Sequence, residues 1–198
     1  MAITAKMVSE LRSRTGAGIM DCKKVLAETD GNIDEAIQRL REKGLKASEV
    51  KAGRATEEGL IISYIHPGSR VGTLVELNCE TDFVARTEQF QELGKEIAMQ
   101  VAAAKPKYVK PEDVPAEALE AEKAILKAQA EQEGKPAHIA ERIVEGRISK
   151  FYSETCLLQQ PYIRDTDKTI ETLVKDAIAQ LGENIVVKRF VLYVLGQS

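Results

Sequence analysis

The side chains able to do covalent or metal chemistry are few: Cys22, Cys79 and Cys156, and His66 and His138. The cysteines are far apart, odd in number and not in Cys-x-x-Cys spacing, which reads as buried free thiols in a reducing compartment. Neither histidine sits at ligand spacing from a cysteine or a carboxylate, so no metal site is expected. A Cys/His nucleophile pair fails on geometry. His66 ends one strand of an expected hairpin and Cys79 lies roughly eight residues further along its partner, at about 3.3 Å each. Gly16-Ala17-Gly18 is part of a dinucleotide fingerprint, but an expected helix precedes it and the third glycine is missing, so it reads as a helix–helix turn. These exclusions leave no catalytic residue, no metal ligand and no cofactor site among the motifs tested.

One stretch remains. In Thr81-Asp82-Phe83-Val84 a large aromatic stands among small and polar residues where an alternating pattern gives way to a helical one. From the residues alone, ordinary structure is favoured: Thr81 or Asp82 caps a helix and Phe83 or Val84 packs beneath it. The alternative makes Phe83 an apolar wedge beside an acidic Asp82, since aromatic residues on rigid supports dominate protein–protein contacts.

The elements that must position this stretch follow from periodicity. A helix is expected over 4–14 with Thr4 as N-cap, a second over about 21–28, and a third from Ile33 ending at Gly44. Residues 46–56 read as a polar linker, partly helical. A β-hairpin is expected over 59–66 and 71–80 around Pro67-Gly68-Ser69-Arg70, with His66 facing Val71. Leu60, Ile62 and Tyr64 then share a face with Thr73, Val75, Leu77 and Cys79. One continuous helix is expected over 82–104, striped by Phe90, Leu93, Ile97 and Val101. Lys105–Pro115 is a loop. Helices over 116–133 and 137–155, the second carrying Ile139, Ile143, Ile148 and Phe151, form an α-hairpin around Gly134-Lys135-Pro136. Residues 157–167 read as irregular. A helix over 168–181, a turn at Gly182-Glu183-Asn184 and a strand over 185–195 complete the chain. The expected fold is α+β: a three-helix module and linker over 1–54, then a core over 55–198 with a three-stranded antiparallel sheet covered by helices.

Composition agrees with a globular chain: 198 residues, 43% hydrophobic and 30% charged. No run of eighteen apolar residues suggests a membrane span, and Met1-Ala2-Ile3-Thr4 opens no signal pattern, so the expected location is the cytoplasm. The net charge of −3 provides no general attraction to nucleic acid. Residues 1–54 carry eleven Lys/Arg against eight Asp/Glu, a weakly basic module beside an acidic remainder.

Two longer motifs shift the weight toward function. The segment from Leu11-Arg12 through Arg14-Thr15-Gly16-Ala17-Gly18-Ile19-Met20-Asp21-Cys22-Lys23-Lys24 resembles the first signature of the elongation factor Ts family. Glu76-Leu77-Asn78-Cys79-Glu80-Thr81-Asp82-Phe83-Val84-Ala85 resembles its second. Ala140–Arg147 and Leu157-Leu158-x-Gln160-Pro161-Tyr162 are also similar to that family. The resemblance implies a guanine-nucleotide exchange factor for elongation factor Tu, with a ubiquitin-associated-like three-helix module and an α+β core. It implies that Thr81, Asp82, Phe83 and Val84 dislodge Mg²⁺ from the GTPase, with Phe83 as the wedge. Leu11, Ile19 and Met20 are expected to touch its nucleotide-binding domain. The implied partners are the GDP-bound and nucleotide-free GTPase, with no direct nucleic acid and no membrane. The chain departs from longer relatives in having one core module and no long coiled-coil insertion, so a homodimer is expected, with Val187, Phe190, Val191 and Tyr193 as its contact. The competing reading is an adaptor or dimerisation scaffold that binds the GTPase and leaves its nucleotide off-rate unchanged.

Overall fold

The computed structural model describes residues 3–132 and 137–197. The chain divides into two compact units that do not follow chain order. The first takes the residues up to Leu60, Leu77–Gly94 and Thr172–Val186. The second takes Ile61–Glu76, Lys95–Glu171 and the residues from Val187 on. The expected boundary at 54/55 therefore lies inside the first unit.

The first unit begins with three helices, α1 (Ala5–Thr15), α2 (Ile19–Glu28) and α3 (Ile33–Lys51). Thr4 caps α1 by accepting from Met7 N–H, and Asn32 caps α3 by accepting from Glu35 N–H. Gly16 ends α1 and Gly18 precedes α2, so the glycine pair is the helix–helix turn expected of it. Leu11, Cys22, Val25, Leu26 and Ala36 form a closed core flanked by Ile3, Met7, Val8, Ile33, Ile37 and Leu40.

Helix α3 does not stop at Gly44. It continues seven residues to Lys51, through most of the expected linker. A Cβ on Gly44 would lie 3.1 Å from the Ala179 Cβ of α8 (Ile170–Leu181), and Lys51 Nζ donates to the Ile178 carbonyl at 3.4 Å. The glycine marks a close helix–helix approach, where contact with α8 outweighs its low helix propensity.

Strands β1 (Glu58–Ile65) and β2 (Val71–Cys79) form the hairpin, with His66 N–H donating to Val71 C=O at 2.9 Å as the register requires. The third strand, β5 (Ile185–Val194), pairs beside β2, giving a three-stranded antiparallel sheet in the order β1-β2-β5. Thr73, Val75, Leu77 and Cys79 are buried on one face, in the alternation expected. At Gly59, φ is +147° and an added Cβ would stand 2.2 Å from the Leu77 carbonyl oxygen, so only glycine fits between these strands.

The expected helix over 82–104 is two helices: α4 (Asp82–Ala85) and α5 (Glu88–Ala104). Thr87 separates them. Its hydroxyl donates to Val84 C=O at 2.7 Å and accepts from Phe90 N–H at 3.3 Å, ending one helix and capping the next. Phe90, Leu93, Ile97 and Val101 are all buried, as their spacing requires. In the second unit, the Thr73 hydroxyl donates to the Ala98 carbonyl at 3.1 Å, which lays α5 over the buried sheet face there.

Helices α6 (Ala116–Gln132) and α7 (Ala137–Thr155) pack as the α-hairpin. The expected break at Gly134-Lys135-Pro136 and the side chains of His138 and Ile139 lie outside the described residues. The segment expected to be irregular holds a short ladder, β3 (Pro161–Tyr162) with β4 (Asp165–Thr169), organised by a buried amide. The Gln100 amide donates to Gln160 Oε1 and to the Pro161 carbonyl, both at 3.1 Å, and accepts from Ile163 N–H at 2.9 Å. Tyr162 Oη donates to Glu96 Oε2 at 2.5 Å, and Arg164 pairs with the same oxygen at 3.1 Å. All these groups belong to the second unit.

Candidate functional site

Strand β2 carries the chain to Cys79, where the turn Glu80-Thr81 delivers it into the single turn of α4. Thr81 is extended (φ −131°, ψ 155°) and its hydroxyl accepts from Val84 N–H at 3.4 Å, so it is the N-cap that the residue type predicts. Ala85 is buried beneath the turn. Thr81, Asp82 and Val84 are half-buried. Phe83 is 78% exposed. The packed-aromatic reading therefore fails: the ring stands in solvent, where a large apolar side chain gains nothing from its own fold. Asp82 pairs with Arg86 at 2.8 Å on the same exposed surface.

The turn is held from the far end of the chain. Glu183, between α8 and β5, accepts from Glu80 N–H at 3.1 Å, from Thr81 N–H at 3.0 Å and from the Thr81 hydroxyl at 2.6 Å. Glu80 returns the contact, its Oε1 accepting from Asn184 N–H at 2.6 Å and pairing with Arg54 at 3.4 Å. The buried Asn184 amide donates to the carbonyls of Arg54 at 2.9 Å and Ala52 at 3.4 Å. Two turns more than a hundred residues apart thus cap each other's backbone with carboxylates, and both are tied to the end of α3. All of these residues belong to the first unit. The sequence marks 182–184 only as a turn, and nothing local to Glu183 signals its partners.

Cys79 adds a weaker tie, its thiol donating to the Thr81 carbonyl at 3.2 Å. Burial pushes that thiol above the usual range, and the Glu183 charge pushes it the same way. It stays protonated as a donor and has none of the character of a nucleophile. Cys22 and Cys156 are likewise buried, and burial raises both.

At the start of α2, Ile19 is 55% and Met20 75% exposed, two apolar side chains side by side in water. Leu11, grouped with them as a partner contact, is fully buried in the three-helix core. It has no surface to offer another molecule, and it packs in the core with Cys22, Val25, Leu26 and Ala36. Of the expected sheet contacts, Val191 and Tyr193 are exposed and Phe190 is half-buried. Val187 is buried with Ile185 at the start of β5, and the alternation changes phase at Lys188 and Arg189, both exposed, so Val187 does not share the exposure of Val191 and Tyr193.

Among the described residues, no cluster of His, Cys, Asp or Glu could hold a metal ion, and no helix is long and apolar enough to cross a membrane.

A family model described as Elongation factor TS matches residues 3–197. The chain is 60% identical over 196 residues to Elongation factor Ts of Caldanaerobacter subterraneus subsp. tengcongensis, covering 99% of this chain and 98% of that protein. It is 60% identical over 196 residues to Elongation factor Ts of Thermoanaerobacter pseudethanolicus, covering 99% and 96%. Against Elongation factor Ts of Citrifermentans bemidjiense the identity is 56% over 198 residues, covering 100% and 92%.

Proposed function

Since the chain belongs to the elongation factor Ts family of translation elongation factors, we propose that it is the guanine-nucleotide exchange factor for elongation factor Tu, with Phe83 as the element that loosens the bound nucleotide. It binds the GDP form, displaces the GTPase's Mg²⁺, and releases GDP so that GTP can enter. The observation that supports this reading is the exposed Phe83 ring on a turn tied down by Glu183.

The physics needs no bond-making step. A GTPase holds its nucleotide largely through the phosphates and the Mg²⁺ that bridges their oxygens. Once the ion leaves, the phosphate charges are less compensated and affinity falls. A factor that binds the Mg²⁺-free shape better than the GDP-bound shape shifts the equilibrium by that difference in affinity. The coupling is reciprocal, so GDP and the factor weaken each other by the same ratio, and incoming GTP expels the factor. On this reading Phe83 is the wedge, Thr81 and Val84 its footing, and Asp82 a negative charge beside it. Ile19 and Met20 hold the nucleotide-binding domain. The chain is a binding catalyst of exchange rather than an enzyme, and it acts in the cytoplasm.

We also infer a homodimer. In the second unit Ile61, Ile65, Leu74, Val191 and Tyr193 leave apolar surface in water, with a groove bounded by Ile61, Leu74, Phe190 and Val191 and by the Glu76–Arg189 ion pair. A second copy covers that surface and supplies the area one core module lacks. Light scattering on the eluting protein that gives the monomer mass at every concentration removes this part of the proposal.

Stopped-flow release of fluorescent GDP from elongation factor Tu tests the main reading. Wild-type protein accelerates release, and Phe83→Ala loses most of that acceleration while remaining folded. An adaptor would bind the GTPase and leave the release rate where it was.

A further inference from the structure

Helix α4 is one turn long and cannot hold its own shape, since isolated helices need some 12–15 residues even to be marginal. Packing gives Phe83 little help, because the ring is in solvent and Ala85 is the one buried residue of the turn. The direction of the ring must therefore be set by the hydrogen bonds that fix the turn. Glu183 supplies the strongest of these, a carboxylate filled by two backbone N–H groups and one hydroxyl. The Thr81 hydroxyl points its proton at Glu183 and so keeps a lone pair on Val84 N–H. Without the carboxylate that hydroxyl is free to rotate, two backbone donors lose their partner, and the cap loosens.

We propose that Glu183 is a positioning residue for nucleotide release: it sets the direction in which Phe83 projects while making no contact with the GTPase itself. The proposal rests on the exchange reading of Phe83. It makes Glu183 act through the ring, so removing both side chains harms release no more than removing the ring alone.

The test is a double-mutant cycle of Glu183→Ala and Phe83→Ala on GDP release, each variant titrated to saturation. Glu183→Ala lowers the maximal release rate roughly tenfold, as a misdirected group does. The concentration that gives half-maximal release is unchanged, because Ile19 and Met20 still dock. The double variant releases GDP at the Phe83→Ala rate. Glu183→Gln, which keeps the length and one acceptor oxygen, recovers release to within about threefold of wild type. Where Glu183→Ala does not fold, Glu183→Gln takes its place in the cycle, and its smaller loss must vanish on the Phe83→Ala background, a loss that persists there overturning the proposal. Losses that multiply in the double variant overturn the proposal, since Glu183 would then act independently of the ring. So does a folded Glu183→Ala with wild-type release. If Phe83→Ala itself releases GDP normally, the exchange reading of Phe83 is what fails.

Discussion

The Thr81–Val84 turn and the Gln160-Pro161-Tyr162 segment both belong to stretches that resemble family signatures, yet the fold uses them in opposite ways. Phe83 is 78% exposed, whereas Tyr162 is 9% exposed with its hydroxyl on Glu96. At the first, a carboxylate holds the backbone and the Thr81 hydroxyl and leaves the aromatic side chain unused. At the second, the aromatic hydroxyl is itself bonded to Glu96, and the buried Gln100 amide uses both of its ends on Gln160, Pro161 and Ile163. A recognisable motif is thus of two kinds. One presents its aromatic ring outward, the other satisfies its polar groups inward, and burial tells them apart.

Substitutions sharpen that contrast by separating two readouts. The largest effect is expected at Phe83→Ala: GDP release from the GTPase slows by about thirtyfold or more, the scale of an interface hot spot. The thermal midpoint stays within about a degree, because no buried contact is lost. Gln100→Leu should do the reverse. It leaves the buried Gln160 Oε1 without its donor and breaks the part-buried bonds to Pro161 C=O and Ile163 N–H, at a cost of roughly 2 kcal/mol seen in urea melts, while release per folded molecule is unchanged. Tyr162→Phe is milder, about 1 kcal/mol of stability, with release again intact. A Gln100→Leu variant that melts normally but exchanges slowly would collapse the distinction between the two regions. The smallest effect is a pH dependence. Burial raises all three thiols, so the folded state keeps their protons longer than the unfolded chain. Their contribution is intact below the ordinary thiol pKa of about 8.5 and is lost as pH rises through the raised folded values. Stability measured by denaturant melts should therefore be flat with respect to these groups near neutrality and sag only in alkali.

Periodic features were legible because burial repeats with the element. Thr73, Val75, Leu77 and Cys79 alternate into the core, and Phe90, Leu93, Ile97 and Val101 line one helical stripe. Features set by distant neighbours were not. Gly44 reads locally as a helix stop, but it lies inside α3 at a close approach to Ala179. Thr87 divides α4 from α5 through one hydroxyl, inside a pattern that looks continuous. The ladder at Pro161–Tyr162 is too short to have a period. Phe83 sits between these cases. Residue types alone favour a packed ring, whereas the family resemblance points outward, and the ring is exposed. Glu183 was out of reach for either approach, since its partners are 102 and 103 residues away.

The sealed sulfur atoms have a practical corollary. With Cys22, Cys79 and Cys156 all enclosed, a maleimide dye finds no native attachment point on the intact protein. A Phe83→Cys variant would then carry a single addressable handle on the Thr81–Val84 turn. Its fluorescence would report arrival at the GTPase directly, with no reporter on the nucleotide.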